Sequence, residues 1–433
     1  KHLLIAILLF GAILRFWGLG SAEIFHDEGL YAFRSIGYFD YIQNDDQSTP
    51  VQWFKDAALP WWTKLSFHDA PPAFFIVQKI FFDFFGDSLF AARLPSALAG
   101  ILAIWFVYLI GKRMFKNKYF SFLAAFLLAV NHIHVWISRS SLMESLLIAA
   151  VLLNIYCFLQ FLEDRKKWVF FGITLGLVLL TKYIGIFLLP VYAFYLIFAR
   201  SDLQKLSILK NWRLYTAFGL AFIIFLPVIV YNIFLYKTIG HFDLQFAYLL
   251  NQNTPEWQVS FGKTQDPFSD ILVNLSAMYS IPFLLLTVFG VTYSVFTILR
   301  RPAKLDPHGS LILFWFLNTV FITLMLIVIG SAYRFISLYS FVAVFFIVYL
   351  INYFFEKYGK EAFFKILVVV FLVYEIFFTI DGIFLAFPDF GVQKLDHYLN
   401  TIFDNQRSAL RPSLLNPHLD KIIQTYANQR FSS

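Results

Sequence analysis

The sequence is poor in cysteine and in charged residues, and each shortage excludes a class of protein. Cys157 is the single cysteine among 433 residues and lies in an apolar run, which excludes a disulfide framework, a CxxC redox site and a cysteine zinc site. Charged residues make up 14% of the chain, against about 25% in soluble domains. Hydrophobic residues make up 59%, more than one globular core could bury. The composition therefore predicts an integral membrane protein.

The chain also lacks internal repeats, Gly/Ser linkers and low-complexity segments. We therefore interpret residues 1–386 as one transmembrane module, followed by a polar tail over 387–433. The net charge of +7 does not predict a nucleic-acid partner, because the basic residues are spread along the chain and form no single patch. Since the sequence begins at Lys1 without a methionine, we expect the natural chain to start further upstream.

Apolar runs predict an all-α, multi-pass protein, because a helix needs about 20 apolar residues to cross a bilayer. The run 168–199 is divided at Lys182, since a single helix of that length would be roughly 48 Å long. The run 71–86 contains polar residues and is predicted to be an amphipathic juxtamembrane helix. The eleven predicted spans are 3–19, 94–111, 119–137, 143–162, 168–181, 183–199, 214–236, 271–299, 310–329, 335–351 and 364–386.

This topology places the basic residues in short loops on one side, which the positive-inside rule assigns to the cytoplasm. The three longer segments, 20–93, 237–270 and the tail 387–433, then lie outside the cytoplasm and hold most of the acids. The basic residues of the inner loops are Lys112, Arg113, Lys116, Lys118, Arg165, Lys166, Lys167, Arg200, Lys205, Lys210, Arg213, Arg300, Arg301, Lys304, Lys357, Lys360 and Lys365.

The first outer segment opens with two adjacent acids, Asp27 and Glu28, directly after the first span. Acids are favoured in the first turn of a helix, so the simpler interpretation is an acid-capped helix that runs to about Tyr41. The alternative is a catalytic role, because a carboxylate at this position could act as a general base.

The same segment closes with His68 and Asp69, followed by two prolines. Proline is common in the first turn of a helix, so this motif also has a purely structural interpretation. Histidine and carboxylates together can instead bind substrate or hold a divalent metal, for which Asp27, His68 and Glu144 are the candidate ligands. No metal or other cofactor is required by the sequence.

Four aromatic residues lie between these motifs, namely Trp53, Phe54, Trp61 and Trp62. Such residues commonly form a belt at the level of the lipid headgroups. They could also form a platform for a sugar or a prenyl chain.

Three cations fall at span boundaries on the predicted outer side. Arg139 and Arg334 could be residues whose charged groups reach the headgroup layer. Lys182 is more informative, because a lysine at the centre of a lipid-exposed helix costs about 2.5–3.5 kcal/mol. Together the three cations match the needs of a lipid that carries a phosphate.

The layout resembles the GT-C superfamily of polyprenyl-phosphate-sugar glycosyltransferases. It is most similar to the branch with the protein O-mannosyltransferases and the aminoarabinose transferase that acts on lipid A. The resemblance is specific over about residues 1–200, and beyond that it depends on the number of spans and on Tyr333-Arg334. Its motifs are Asp27-Glu28, His68-Asp69-Ala70-Pro71-Pro72, Arg93 to Gly100 with the basic loop at Gly111-Lys112-Arg113, Arg139 to Glu144, and Leu180-Thr181-Lys182.

This resemblance implies an inverting glycosyltransferase on the extracytoplasmic face of the cytoplasmic membrane. It implies a polyprenyl-phosphate sugar, a hexose or a pentose, as donor and a hydroxyl of a protein, glycan or lipid as acceptor. Asp27 is then the base, supported by Glu28, and Glu144 is a second acid. The phosphate is expected to bind Arg139, Lys182 and Arg334, with His68 and Asp69 as further substrate-binding residues. The chemistry is consistent, because a phosphate leaving group needs positive charge and an alcohol nucleophile needs a nearby carboxylate.

Two other functions fit parts of this pattern. A transporter or flippase of a lipid-linked sugar would also place cations near a phosphate, but it predicts charges near the bilayer midplane and internal repeats. A non-catalytic protein that binds a polyprenyl phosphate would retain the same acids.

Overall fold

The computed structural model describes residues 2–21, 24, 27–37, 59–198, 207–254, 266–300 and 307–385. These residues form helices joined by turns, and no strand occurs among them. The predicted all-α fold is thus confirmed. The predicted tail, the aromatic residues Trp53 and Phe54, and Tyr41 lie outside the described residues.

The helices of the N-terminal half include two short ones, α2 and α3, between the first and second long apolar segments. In chain order they are α1 (His2–Phe16), α2 (Glu28–Gly37), α3 (Ala73–Phe85), α4 (Leu89–Met114), α5 (Lys118–Ala129), α6 (His132–Arg139), α7 (Met143–Glu163), α8 (Trp168–Thr181) and α9 (Leu188–Phe198). Short 3-10 helices occur at Trp61–Lys64, Arg165–Lys167 and Tyr183–Phe187.

The helices of the C-terminal half are mostly long and apolar. They are α10 (Trp212–Ile239), α11 (Leu244–Leu249), α12 (Pro267–Met278), α13 (Ile281–Arg300), α14 (Pro307–Ile329), α15 (Tyr333–Ile336), α16 (Tyr339–Tyr358) and α17 (Ala362–Ile380).

Within the described ranges, seven helical segments are long and apolar enough to cross a membrane, and the bent pair α5–α6 would make an eighth. The seven are α4, α7, α10, α13, α14, the continuous stretch of α15 and α16, and α17. Each of the eleven predicted spans contains a helix, but α1 has 15 residues and α8 has 14. The multi-pass architecture is therefore confirmed, whereas the number of eleven spans is not.

Two predicted spans are interrupted by polar caps. The span 119–137 bends by 56° between α5 and α6, where the side chain of Asn131 caps the start of α6. The span 271–299 is divided into α12 and α13, and the side chain of Ser280 caps the start of α13. Such breaks are tolerated in a membrane because a side chain replaces the lost backbone hydrogen bond.

The helix predicted over 71–86 is present as α3. Phe74, Phe75 and Gln78 are buried on one side, and Lys79 and Asp83 form an ion pair at 2.9 Å on the more exposed side. The helix thus has two different faces, as expected for an amphipathic juxtamembrane helix.

Helices α8 and α10 approach each other closely because small residues face each other. A Cβ atom on Gly172 would lie 2.6 Å from the carbonyl oxygen of Ala217, and a Cβ atom on Gly176 would lie 3.1 Å from that of Ala221. Small residues four positions apart allow such contact between membrane helices. The packing fixes the end of α8 and hence Lys182, the residue that follows it.

A similar close contact joins α4 to α6 and α1, and it gives a stability prediction. A Cβ atom on Gly100 would lie 2.7 Å from Cβ of Ser138 and 2.8 Å from Nε of Arg15, so we expect Gly100→Ala to destabilise the protein by about 1–3 kcal/mol. Gly219→Ala is the matched control, since no atom lies within 4 Å of the added Cβ and alanine favours a helix. Thermal unfolding in detergent measures both, and equal midpoints would show that this contact relaxes without cost.

Candidate active site

Four charged side chains from distant parts of the sequence meet at the ends of four helices. Asp27 precedes α2, Glu144 lies in the first turn of α7, Lys182 follows α8 and Arg334 lies in α15. Nη1 of Arg334 pairs with Oδ2 of Asp27, and Nζ of Lys182 pairs with Oε1 of Glu144. Nε of Arg334 also lies 3.6 Å from Oε1 of Glu144. We call these four residues the charged cluster.

The charged cluster runs from a buried floor to a more exposed rim. The side chain of Glu144 is 1% exposed and that of Lys182 is 16% exposed, whereas Arg334 and Asp27 are 24% and 34% exposed. Oε2 of Glu144 has no hydrogen-bond partner among the described residues. Since a buried polar atom is normally satisfied, this oxygen is a candidate acceptor for a substrate hydroxyl.

Two aromatic residues hold the charged cluster in place. The hydroxyl of Tyr31, one helical turn after Asp27, donates to Oδ2 of Asp27 at 3.3 Å and accepts from Nη1 of Arg334 at 3.4 Å. Burial, and next the nearby carboxylate of Glu144, raises the pKa of Tyr31 well above its usual value, so the hydroxyl remains protonated. The ring of Phe335 faces both cations, with its centroid 4.4 Å from Nζ of Lys182 and 5.0 Å from Cζ of Arg334.

Glu28, predicted to support Asp27, faces away from the charged cluster. Its carboxylate accepts two hydrogen bonds of 2.8 Å from Arg93 and one of 2.5 Å from the backbone N–H of Ser141. Both charged side chains are almost fully buried. Glu28 and Asp27 face different partners because adjacent residues at a helix start point in different directions. Through its contacts Glu28 fastens α2 to α4 and to the turn before α7.

Arg139, predicted to bind phosphate, lies outside the charged cluster. Its Nη1 donates to the carbonyl oxygens of Leu14, Arg15 and Trp17 at 2.7–3.3 Å, and its guanidinium lies 4.6 Å from the ring centroid of Phe384. None of these contacts joins Arg139 to Lys182 or Arg334, and its role in phosphate binding stays a prediction. A cation is favoured at this place because the last carbonyls of α1 lack helical partners.

His68 and Asp69, predicted to bind substrate, each contact another segment of the chain. Asp69 forms an ion pair with Arg34 of α2 at 2.7 Å. His68 is buried, and its carbonyl oxygen accepts from the backbone N–H of Leu244 at 2.8 Å. The motif thus links α2 to the first residue of α11.

The structure does not support the predicted metal ligands Asp27, His68 and Glu144. Across the described ranges, no group of three or more His, Cys, Asp or Glu side chains is arranged to hold a metal ion. The physical reason is that Asp27 and Glu144 are each paired with a basic side chain, Arg334 and Lys182.

A second buried polar group, centred on Asp243, adjoins the charged cluster through Tyr183, and it was not among the predicted site residues. Oδ2 of Asp243 accepts from the hydroxyl of Tyr183 at 2.7 Å and from the side-chain amide of Asn232 at 3.1 Å. Burial raises the pKa of Asp243 to about 6, although these hydrogen bonds oppose the shift. The only signals in the sequence are that Tyr183 adjoins Lys182 and that Asp243 precedes α11.

Part of the chain matches a known protein family. Residues 69–231 match the model of the dolichyl-phosphate-mannose-protein mannosyltransferase family. A putative mannosyltransferase of Bacillus subtilis (strain 168), YycA, is 32% identical over 165 residues, which are 36% of this chain and 24% of the relative. The matched region contains Glu144, Lys182 and Tyr183.

Comparison with solved structures extends the likeness to most of the chain. The structure of ArnT from Cupriavidus metallidurans bound to undecaprenyl phosphate matches with a TM-score of 0.56 and 16% identity over 80% of this chain and 58% of ArnT. The apo oligosaccharyltransferase of Archaeoglobus fulgidus matches with a TM-score of 0.60 and 15% identity over 98% of this chain and 59% of that enzyme. The chain thus spans less than two thirds of the length of these proteins. It is a multi-pass membrane protein with the fold of the GT-C superfamily of glycosyltransferases, and its residues 69–231 match the dolichyl-phosphate-mannose-protein mannosyltransferase family.

Proposed function

We propose that this chain is an inverting glycosyltransferase that moves a sugar from a polyprenyl-phosphate donor to a hydroxyl of a protein, glycan or lipid. The observation that carries the proposal is the charged cluster, in which two cations and two carboxylates share one site. Cations stabilise a phosphate leaving group, and a carboxylate can take the proton of an alcohol. Two similar structures contain lipid phosphates, namely ArnT with undecaprenyl phosphate and the archaeal oligosaccharyltransferase AglB with dolichol-phosphate.

In this mechanism Lys182 and Arg334 bind the donor phosphate. The phosphate replaces the carboxylate of Asp27 as the partner of Arg334, which leaves Asp27 free to act as a base. A phosphate can displace the carboxylate because Arg334 and Asp27 are partly exposed, and such pairs contribute little net stability. The exposed rim of the site is thus where donor and acceptor meet.

The transfer step needs one base and one leaving group. The carboxylate of Asp27 takes the proton from the acceptor hydroxyl, whose oxygen forms a bond to the anomeric carbon of the sugar. The bond from that carbon to the phosphate oxygen breaks, and the polyprenyl phosphate leaves with the electron pair. The attack comes from the face opposite the phosphate, so the anomeric configuration inverts. Lys182 and Arg334 stabilise the charge that develops on the phosphate.

The same proposal places the site on the extracytoplasmic face of the cytoplasmic membrane. Glu144 lies at the first turn of α7, whereas the basic segment Arg165–Lys167 follows the last turn of that spanning helix. Basic loops remain in the cytoplasm, so the opposite end of α7 faces outward. A lipid donor would then reach the site from the outer leaflet.

Mass spectrometry of lipids that co-purify with the protein tests the donor class. We expect a polyprenyl phosphate, or its sugar adduct, to be enriched over the membrane extract from which the protein is purified. The same extraction of the double variant Lys182→Gln/Arg334→Ala is the control and should lose that lipid, because no cation remains in the charged cluster. A protein that retains only bulk phospholipids, or that retains the same prenyl lipid after both substitutions, would contradict the proposed donor.

A further inference from the structure

The residue after Lys182 makes a contact that the transfer chemistry does not use. Lys182 has an extended backbone, with φ −162° and ψ 136°, and in an extended chain consecutive side chains point in opposite directions. Lys182 reaches Glu144 in the charged cluster, while the hydroxyl of Tyr183 donates to Oδ2 of Asp243 at 2.7 Å. The direction of the lysine is therefore tied to the position of the tyrosine.

Asp243 does more than cap the short helix α11. Its Oδ1 alone accepts from the backbone N–H groups of Gln245 and Phe246, at 3.1 and 3.2 Å. Its Oδ2 is held separately by Tyr183 and Asn232, and its own backbone N–H donates to Oδ1 of Asn232 at 2.7 Å. A helix cap needs one oxygen, so the second oxygen serves the contact with Tyr183.

The carboxylate of Asp243 is fully buried and surrounded by neutral donors. A buried acid held this way costs free energy unless its hydrogen bonds are well made. Its pKa of about 6 leaves it mainly ionised at neutral pH, and an ionised acceptor strengthens the hydrogen bond from Tyr183. The contact is therefore a firm attachment between α10–α11 and the turn at Lys182.

We propose that Tyr183 and Asp243 form a positioning pair that holds Lys182 in the charged cluster, so that the segment around Asp243 controls the affinity for the donor phosphate. This inference rests on the proposed function, because it needs Lys182 to bind a phosphate. In this proposal both residues act through the backbone of the turn that follows α8, and neither needs to contact the substrate. The substitution Tyr183→Phe removes one hydroxyl and leaves the aromatic contact of Tyr183 with Phe246 in place.

A double-mutant cycle with undecaprenyl phosphate as the probe tests the pair. Binding is titrated by native mass spectrometry for the wild type, Tyr183→Phe, Lys182→Gln and the double variant. We expect Tyr183→Phe to weaken binding about 5-fold, and to have an effect below about 2-fold when Lys182 is already replaced, because coupled residues are non-additive. Asp243→Asn should reproduce the effect of Tyr183→Phe.

Tyr192→Phe is the matched control, because the buried hydroxyl of Tyr192 donates to Oδ1 of Asn154 at 2.6 Å in the same way but away from Lys182. Its binding should equal that of the wild type. The pair is rejected if Tyr183→Phe binds as the wild type does, or if its effect is the same with and without Lys182. If Lys182→Gln itself binds undecaprenyl phosphate normally, the proposed function fails together with the pair.

Discussion

Replacement of Asp27 by asparagine is expected to reduce sugar transfer about 1,000-fold or more, because an amide cannot accept the proton of the acceptor hydroxyl. General-base catalysis by a positioned side chain contributes about 10²–10⁴-fold. Donor binding should remain at least as tight as in the wild type, since Asp27 and the donor phosphate compete for the same guanidinium of Arg334. This opposite behaviour of transfer and binding separates a base from a residue that only maintains the fold.

Asp83→Asn is the matched control for this prediction. Asp83 is a carboxylate of α3, 61% exposed and paired with Lys79 at 2.9 Å, and such surface pairs contribute little. We expect transfer by this variant to stay within about 2-fold of the wild type. Transfer from a radiolabelled polyprenyl-phosphate sugar measures both variants, and activity of the Asp27 variant at the level of the control would remove Asp27 as the base.

Replacement of Lys182 by glutamine is expected to weaken donor binding by about 10-fold or more, since a hydrogen bond to a charged group contributes about 1.5–3 kcal/mol. The substitution also breaks the closer of the two ion pairs of Glu144, whose side chain is 1% exposed, and leaves Arg334 at 3.6 Å as its remaining cation. Breaking a buried ion pair destabilises a protein by about 3–5 kcal/mol, and Arg334 offsets part of that loss. The single variant therefore combines a loss of binding with a loss of stability.

The double variant Lys182→Gln/Glu144→Gln separates these two effects. It removes both charges, so thermal unfolding should return toward the wild-type midpoint, because no buried carboxylate remains unpaired. Binding of undecaprenyl phosphate should remain weak, because the phosphate still lacks Lys182, one of its two cations. If the double variant recovers both stability and donor binding, Lys182 serves only to neutralise Glu144.

The membrane fold could be predicted because hydropathy reports directly on the solvent around a helix. Each predicted span contains a helix, and the juxtamembrane helix over 71–86 is present as α3. The number of spans could not be fixed in the same way. Helices α1 and α8 are shorter than a bilayer requires, and Asn131 and Ser280 divide two apolar runs at points that hydropathy does not mark.

The residues of the charged cluster were predicted mainly from the family resemblance, and their mutual contacts were not predicted. Asp27 and Arg334 are separated by about 300 residues, and spacing along the chain cannot show that they form an ion pair. The resemblance named all four members, but it also named Glu28 and Arg139. Glu28 and Arg139 differ from the four cluster members in the direction of their side chains. Glu28 points toward Arg93, and Arg139 points toward the last carbonyls of α1.

The roles of Tyr31 and Asp243 depend on three-dimensional contacts of a kind that leaves little trace in a sequence. Tyr31 lies four residues after Asp27, and such a spacing on a helix brings two side chains to one face. The hydrogen bond from Tyr31 to Asp27 is an example of this spacing. Asp243 follows α10, which packs against α8 through small residues, and it meets Tyr183 just beyond the end of α8.

The anomeric configuration of the product shows whether the protein is an inverting transferase that uses a lipid-linked sugar. The purified protein is supplied with a polyprenyl-phosphate mannose of known configuration and with a membrane fraction as the source of acceptor, and the linkage formed is determined by nuclear magnetic resonance. We predict a glycoside of the opposite configuration, formed from the lipid donor and not from a nucleotide-linked mannose. A product that keeps the configuration of the donor would show that the transfer is not inverting. A product that forms only from the nucleotide sugar would show that the donor is not lipid-linked.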